Sequence, residues 1–213
     1  MKKTIARPAT ALAAALTLAA GTAASAASVD LTSERPAFAR GVDVRFDDGT
    51  SARVSATSTK WWNGRTKKAW VGQYRGGFGV SSWMLDDHRV ESNWGTDTLW
   101  FDFSSAFQPT GVDLTYLSGS APQTLRVLDG EGNGLGDLRF TANADGTAYV
   151  DLLGLNASAG DRFGLAAGDH CTSFKVRGLS GVSAVPTPSA AAAGLALLAA
   201  AGLRRRRRHA EAA

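Results

Sequence analysis

Cysteine and histidine are nearly missing from this chain. One cysteine, Cys171, stands among 213 residues, which excludes an internal disulfide, a CxxC redox pair and any multi-cysteine zinc or iron–sulfur site. The histidines are His88, His170 and His209, the last in a basic tail, too few for most His/Cys metal centres. Cys171 reads as a small buried hydrophobe rather than a nucleophile, so stability has to come from an apolar core. A surplus of charge is also missing once the ends are set aside. The whole chain carries 23 Lys+Arg against 19 Asp+Glu, a formal +4. Lys2, Lys3, Arg7 and Arg204 to Arg208 supply eight of those cations and Glu211 one of the anions, so residues 27–203 keep 15 basic and 18 acidic groups, a net −3. The overall balance therefore gives no ground for nucleic-acid binding.

Signatures of catalysis are absent too. The chain has no GxSxG, no HExxH and no Walker loop. Gly130, Gly132, Gly134 and Gly136 alternate after an apolar strand pattern, but the GxGxxG spacing is missing and no helix follows. His88 or His170 could serve a remote serine, yet nothing local marks a nucleophile elbow. Asp86, Asp87, Glu91, Asp97 and Asp102 are numerous enough for a glycosidase-like carboxylate pair. Solvated loop acids are the preferred reading, since such residues are routinely exposed. The sequence reads as a protein that is not an enzyme.

What is present begins with the two ends. Met1 to Arg7 is a short basic region, Ala9 to Ala20 an uncharged Ala/Leu-rich run, and Ala24-Ser25-Ala26 supplies the small residues a signal peptidase accepts. Residues 1–26 thus read as a signal peptide, with cleavage before Ala27 or Ser28. At the other end Val185-Pro186-Thr187-Pro188-Ser189 precedes an uncharged segment, Ala190 to Leu203, and then Arg204, Arg205, Arg206, Arg207 and Arg208. A helix over that uncharged segment would be about 21 Å long, short of a hydrocarbon core of about 30 Å, so it is a marginal span. The arginines resist translocation and should stay cytoplasmic. The body would then be exported, with its tail transiently in the inner membrane.

Val185, Pro186, Thr187 and Pro188, the small-residue hydrophobic segment and Arg204–Arg208 together resemble a PEP-CTERM sorting signal. That tripartite tail is processed by an exosortase in Gram-negative bacteria that make extracellular polysaccharide. The resemblance implies two processing partners, signal peptidase and an exosortase-like enzyme, and delivery to the cell surface or extracellular matrix of a biofilm. Thr187 stands where the commonest form of the motif has Glu. The resemblance covers about the last 29 residues and speaks to destination, not activity.

Between the ends the pattern is period two. Val42, Val44 and Phe46 share one face; Leu99, Phe101 and Phe103 oppose Thr98, Trp100 and Asp102. Val112, Leu114 and Tyr116 repeat it, as do Leu125 with Val127, Ala148 with Val150 and Leu152, and Phe174 with Val176. Turn clusters separate these runs, including Asp47-Asp48-Gly49, Arg75-Gly76-Gly77, Ser118-Gly119-Ser120, Asp129 to Gly136 and Asn143 to Gly146. No segment sustains a 3.6-residue apolar period. The expected fold is all-β, an antiparallel sandwich or jelly roll over residues 27–180, flanked by a signal helix and a C-terminal hydrophobic helix. Residues 181–213 form the sorting segment, with its motif at 185–188, hydrophobic run at 190–203 and Arg-rich tail at 204–209. Leu125 to Leu155, with its Leu128-Asp129-Gly130-Glu131-Gly132-Asn133-Gly134 turn, resembles the second half of jelly-roll modules in such exported proteins. Gly77-Phe78-Gly79-Val80, with Asp86 to Asn93 and Thr98–Phe103, resembles a segment of PEP-CTERM exoproteins.

Two constellations carry candidate chemistry. Asp129, Glu131, Asn133 and Asp137, with the Leu135 carbonyl between them, place alternate oxygen atoms in a Gly-rich loop of the kind Ca²⁺ uses. Against calcium, Phe140 stands where an EF-hand needs its twelfth acidic residue, and a plain acidic turn is the preferred reading. Asp86, Asp87, Glu91, Asn93 and Asp97 form a similar group. The second constellation is aromatic: Trp61, Trp62, Trp70, Trp83, Trp94 and Trp100 crowd one stretch, and Trp61-Trp62 sits among Lys60, Asn63, Arg65, Lys67 and Lys68. Adjacent strand residues face opposite ways, so at least one of that pair should be exposed. Indoles beside Asn, Asp and Arg suit sugar rings, with Trp61, Trp62 and Trp94 the candidate ligand-binding residues. The preferred alternative has the tryptophans covering an open end of the sandwich or closing a small core. The leading functional reading is a noncatalytic surface or matrix protein. An exopolysaccharide-binding module and a secreted hydrolase are the alternatives.

Overall fold

Alternating apolar residues need a second apolar face to cover them, and antiparallel hairpins provide it. The computed structural model describes residues 24–82, 88–93, 95–115, 117, 121–155, 160–170 and 172–183. The expected terminal helices, Val185–Pro188, Arg204–Arg208, Trp83, Trp94, Cys171, Asp86, Asp87 and the Ser118–Ser120 turn lie outside the described residues. Among the described residues there are thirteen strands and no helix. In chain order they are β1 (Ser25–Asp30), β2 (Ala37–Ala39), β3 (Gly41–Arg45), β4 (Ser51–Lys60), β5 (Thr66–Tyr74) and β6 (Gly77–Ser81). β7 (Val90–Glu91) leads to the long β8 (Gly95–Thr115). β9 (Gln123–Leu128), β10 (Gly134–Phe140), β11 (Ala148–Asp151), β12 (Gly160–Ala167) and β13 (Ser173–Ser183) complete the all-β, sandwich-like fold.

The ladder runs β1-β13-β6-β5-β4-β8-β12-β9-β10, with every described pairing antiparallel. β13 also pairs directly with β8, so β13, β6, β5, β4 and β8 close a circuit. β8 makes this possible. The sequence pattern suggests separate strands at Thr98–Phe103 and from Val112, whereas the backbone runs through as one strand of 21 residues. Its first part pairs with β4, from Lys60↔Gly95 to Ala52↔Phe103, and its second with β13, from Phe107↔Ser183 to Thr115↔Lys175. Between them lie Ser104, Ser105 and Ala106, small residues where the strand changes partners, as strands do at sandwich corners. Pro109 is tolerated in so long a strand because it faces Gly181, where the register slips.

The alternating residues point where the pattern places them. Leu99, Phe101, Phe103, Leu125, Val127, Ala148, Val150, Leu152, Phe174 and Val176 are all buried. At the corner the rings of Phe103 and Phe107 stack at 4.2 Å, Phe46 approaches Phe107 at 5.1 Å, and Phe163 stacks on Phe101 at 5.2 Å. β1 and β13 extend past the expected boundaries. Ser25 and Ala26 pair with Ser183 and Val182, so cleavage after Ala26 would leave the β1 pairs from buried Ala27 to Asp30. Asp47 ties this strand down: its carboxylate accepts the Ser28 hydroxyl and N–H, both at 2.7 Å, which holds its carboxyl below the usual range.

Candidate functional site

The β4–β5 hairpin closes through Trp61, Trp62, Asn63 and Gly64. Lys60 N–H donates to the Arg65 carbonyl at 3.1 Å, Gly64 N–H to the Lys60 carbonyl at 2.9 Å, and Arg65 N–H to Asn63 Oδ1 at 3.0 Å. The turn is therefore satisfied by its own backbone and one local amide, leaving the two indoles free to point outward. Trp61 is 69% exposed and Trp62 58%. The alternation argument expected at least one of the pair outside; both are, because these residues lie in a turn rather than in extended chain. Trp61 and Trp62 do not close a small buried core, the second form of the preferred alternative. Trp70 on β5 is also exposed, and Trp100 on β8 is half-buried with its Nε1–H donating to Thr57 Oγ1 at 2.9 Å.

The four rings differ in what covers them. Lys60 Nζ lies 5.5 Å from the Trp62 ring, the Arg40 guanidinium 4.3 Å from Trp70, and the Arg162 guanidinium 4.4 Å from Trp100. Each of these indole faces is already used by a cation. Trp61 carries none among the described residues and meets Trp62 edge-on at 6.3 Å.

Trp61 stands beside a cleft of 710 Å³ whose described walls are Trp61, Ser92, Asn93 and His170. The Lys60↔Gly95 register brings the chain before β8 alongside the hairpin end. The connection after β12 brings His170 to the same place, where its Nδ1 lies 3.2 Å from the Ser92 carbonyl. Ser92 Oγ donates to the Asp169 carbonyl, and Asn93 Nδ2 to Glu91 Oε2 at 3.1 Å. An aromatic face beside amide, hydroxyl and imidazole groups is able to stack on a ring and bond its hydroxyls. Sequence reading found Trp61 but missed Ser92 and His170 as its neighbours. They lie far away along the chain, and no local pattern marks them.

The calcium candidates are placed differently. Asp129 accepts from Glu131 N–H at 2.9 Å, Asn133 N–H at 2.8 Å and Asn133 Nδ2 at 3.0 Å, and its carboxyl sits below the usual range, chiefly through Asn133. Asn133 also reaches Glu131 Oε2 at 3.4 Å. Asp137, on β10, is turned to Arg126 across the ladder by two 2.8 Å bonds. These four residues are thus bonded to one another or to an arginine. Among the described residues no three His, Cys, Asp or Glu side chains converge as a metal would need. Of the carboxylates considered for hydrolysis, Asp102 pairs with Arg162 at 3.1 Å. His88 is stacked on Tyr74 at 5.5 Å, with Phe38 edge-on at 4.8 Å.

No protein-family model matches the chain, and no curated protein does. Among solved structures, a Streptococcus pneumoniae fucose binding module is similar with a TM-score of 0.27 and 9% identity, over 46% of this chain and 68% of that one.

Proposed function

We propose that this is an exported, noncatalytic surface or matrix protein whose β-sandwich holds exopolysaccharide in the Trp61 cleft. The observation that carries the binding reading is Trp61 itself: a 69% exposed indole with no cation over its ring among the described residues, beside a cleft with polar walls. Exposing an indole to water is unfavourable, and a pyranose ring covers it by presenting C–H groups to the π face. Asn93 and His170 lie where they can meet ring hydroxyls. The noncatalytic part is supported by how those groups are engaged: His170 Nδ1 contacts the Ser92 carbonyl rather than its hydroxyl, and that hydroxyl donates to the Asp169 carbonyl.

A glycan array with the mature protein tests the binding. Trp61→Ala should weaken the best ligand at least about tenfold, roughly 1.4 kcal/mol, with the melting temperature unchanged because the side chain packs against so little. Trp62→Ala should cost less, since Lys60 already lies over that ring. Equal binding by the Trp61 variant would sink the reading.

Delivery rests on the tail. Proline disfavours helix at itself and at the residue before it, so Pro186 and Pro188 would offer a membrane-embedded protease a segment to grip. Replacing both by Ala should leave an uncleaved form in the inner membrane, detectable by fractionation and by mass spectrometry of the C-terminus. Normal surface delivery of that variant would show that the tail is only a weak anchor.

A further inference from the structure

The far end of β5 holds a second cleft, of 420 Å³, that the proposed function does not use. Two guanidinium groups line it, from Arg75 in the β5–β6 turn and Arg177 on β13. Both side chains belong to exposed residues, and neither forms an ion pair within 4.0 Å among the described residues. Their proximity is enforced by the backbone. Gly77, with φ of +112°, comes so close to β13 that a Cβ there would lie 2.2 Å from the Val176 carbonyl oxygen and 2.8 Å from Arg177 Cα. Thr115 Oγ1 donates to the Gly76 carbonyl and fastens the turn to the end of β8. Leu31 N–H donates to the Arg177 carbonyl at 2.7 Å, fixing β13 from the other side. The backbone segments that carry the two arginines are thus held at one cleft by contacts that do not involve their charges.

Another wall is the Asp145–Thr147 turn. Asp145 Oδ1 accepts the Thr147 hydroxyl at 2.6 Å and its N–H at 3.1 Å. That hydroxyl, then the N–H, hold the Asp145 carboxyl below the usual range, with Arg177 a lesser contribution. The carboxylate is therefore tied into its own turn and is not bonded to either arginine. Lys175, two residues before Arg177, is buried with Nζ 4.0 Å from the Tyr74 ring. All this sits on a body whose net charge is −3, so the attraction is local.

We propose that Arg75 and Arg177 form a subsite for the carboxylate of an acidic sugar, a uronate residue within a polysaccharide. A guanidinium matches the planar carboxylate through paired N–H donors. Asp145 keeps its second carboxylate oxygen as an acceptor for a sugar hydroxyl, its Oδ1 being taken by the Thr147 hydroxyl and N–H. A ligand with both a carboxylate and vicinal hydroxyls uses both walls, whereas a compact dianion would meet Asp145 without needing it. The subsite is separate from the Trp61 cleft and stands or falls independently.

Calorimetry of the full-length mature protein with tetragalacturonate, its methyl ester and inorganic sulfate tests this. Tetragalacturonate should bind, weakening as salt rises, and the ester should bind at least tenfold less. Arg75→Gln and Arg177→Gln should each lower affinity about tenfold, the scale of one charged hydrogen bond at roughly 1.5 kcal/mol. Both residues are exposed, so the melting temperature should not move. Trp61→Ala should leave this binding intact, which separates it from the Trp61 cleft. Absence of binding, equal binding of acid and ester, equal binding of sulfate, or unaffected arginine variants would each overturn the assignment.

Discussion

At one end of β5 the chain turns through Trp61, Trp62, Asn63 and Gly64; at the other it turns through Arg75 and Gly76. The strand's nine residues put the two turns about 30 Å apart. The first is held by bonds within itself, Lys60 to Arg65 and Asn63 to Arg65, and packs against little. The second closes on the Tyr74↔Gly77 pair and is also clamped from outside, by Thr115 and by the closeness of Gly77 to β13. A self-sufficient turn can leave aromatic side chains in solvent. A clamped turn can bring basic residues from distant strands to one cleft, because its position is set by packing elsewhere in the sheet.

The largest expected effect breaks the clamp. Gly77→Val adds a side chain to a left-handed backbone and drives it into the Val176 carbonyl, at a cost of about 3 kcal/mol or more. Gly64, in the Trp61 turn, also has a positive φ, +63°, but nothing lies within 4 Å of a Cβ there. Gly64→Ala should therefore cost only the backbone term, about 1 kcal/mol. Urea unfolding of the two variants measures the difference, and equal costs would mean that β13 yields and the clamp is soft.

Acid should distinguish the same two regions more gently. The Asp145 carboxyl is held below its ordinary 3.8 by Thr147, and those of Asp47 and Asp129 are lowered in the same sense by Ser28 and Asn133. A lowered folded-state pKa means the stabilisation is complete above 3.8 and is lost as pH falls through the lowered values. The Trp61 turn is held by the Asn63 amide, which does not titrate. In an NMR titration the Thr147 amide should shift below pH 3.8 while the Arg65 amide stays put. Concerted movement of both would show global unfolding rather than a local release.

Calcium should have the smallest effect of all. Asp129 and Asn133 are bonded together and Asp137 to Arg126, so melting curves in millimolar calcium and in chelator should coincide. A rise in calcium that is lost in Asp129→Ala would show the loop rearranging around the ion.

Much of the fold was legible because alternation is a local property. Leu99, Phe101 and Phe103 point inward as their spacing requires, and Asp47-Gly49 and Asn143–Gly146 turn where their residue types permit positive φ. β8 was not legible as one strand, since Ser104–Ala106 and Pro109 look like a break. Continuity there is imposed by β4, β12 and β13 on either side. Of the candidate site, Trp61 was visible as an indole in polar company, but its exposure depended on its being in a turn.

The all-β class, the inward faces of the strands, the near-absence of thiol and imidazole chemistry and the mild negative charge of the body can all be read from the chain alone. Each of these follows from residue type and from spacing of two to four positions, within which the backbone's periodicity is fixed by sterics. Only the tertiary structure decided which distant residues share a surface. Ser92 and His170 reach Trp61, and Arg177 reaches Arg75, through strand register and the approach of β13 to Gly77. Register is a collective result of burying every inward face at once, so no short window of residues encodes it.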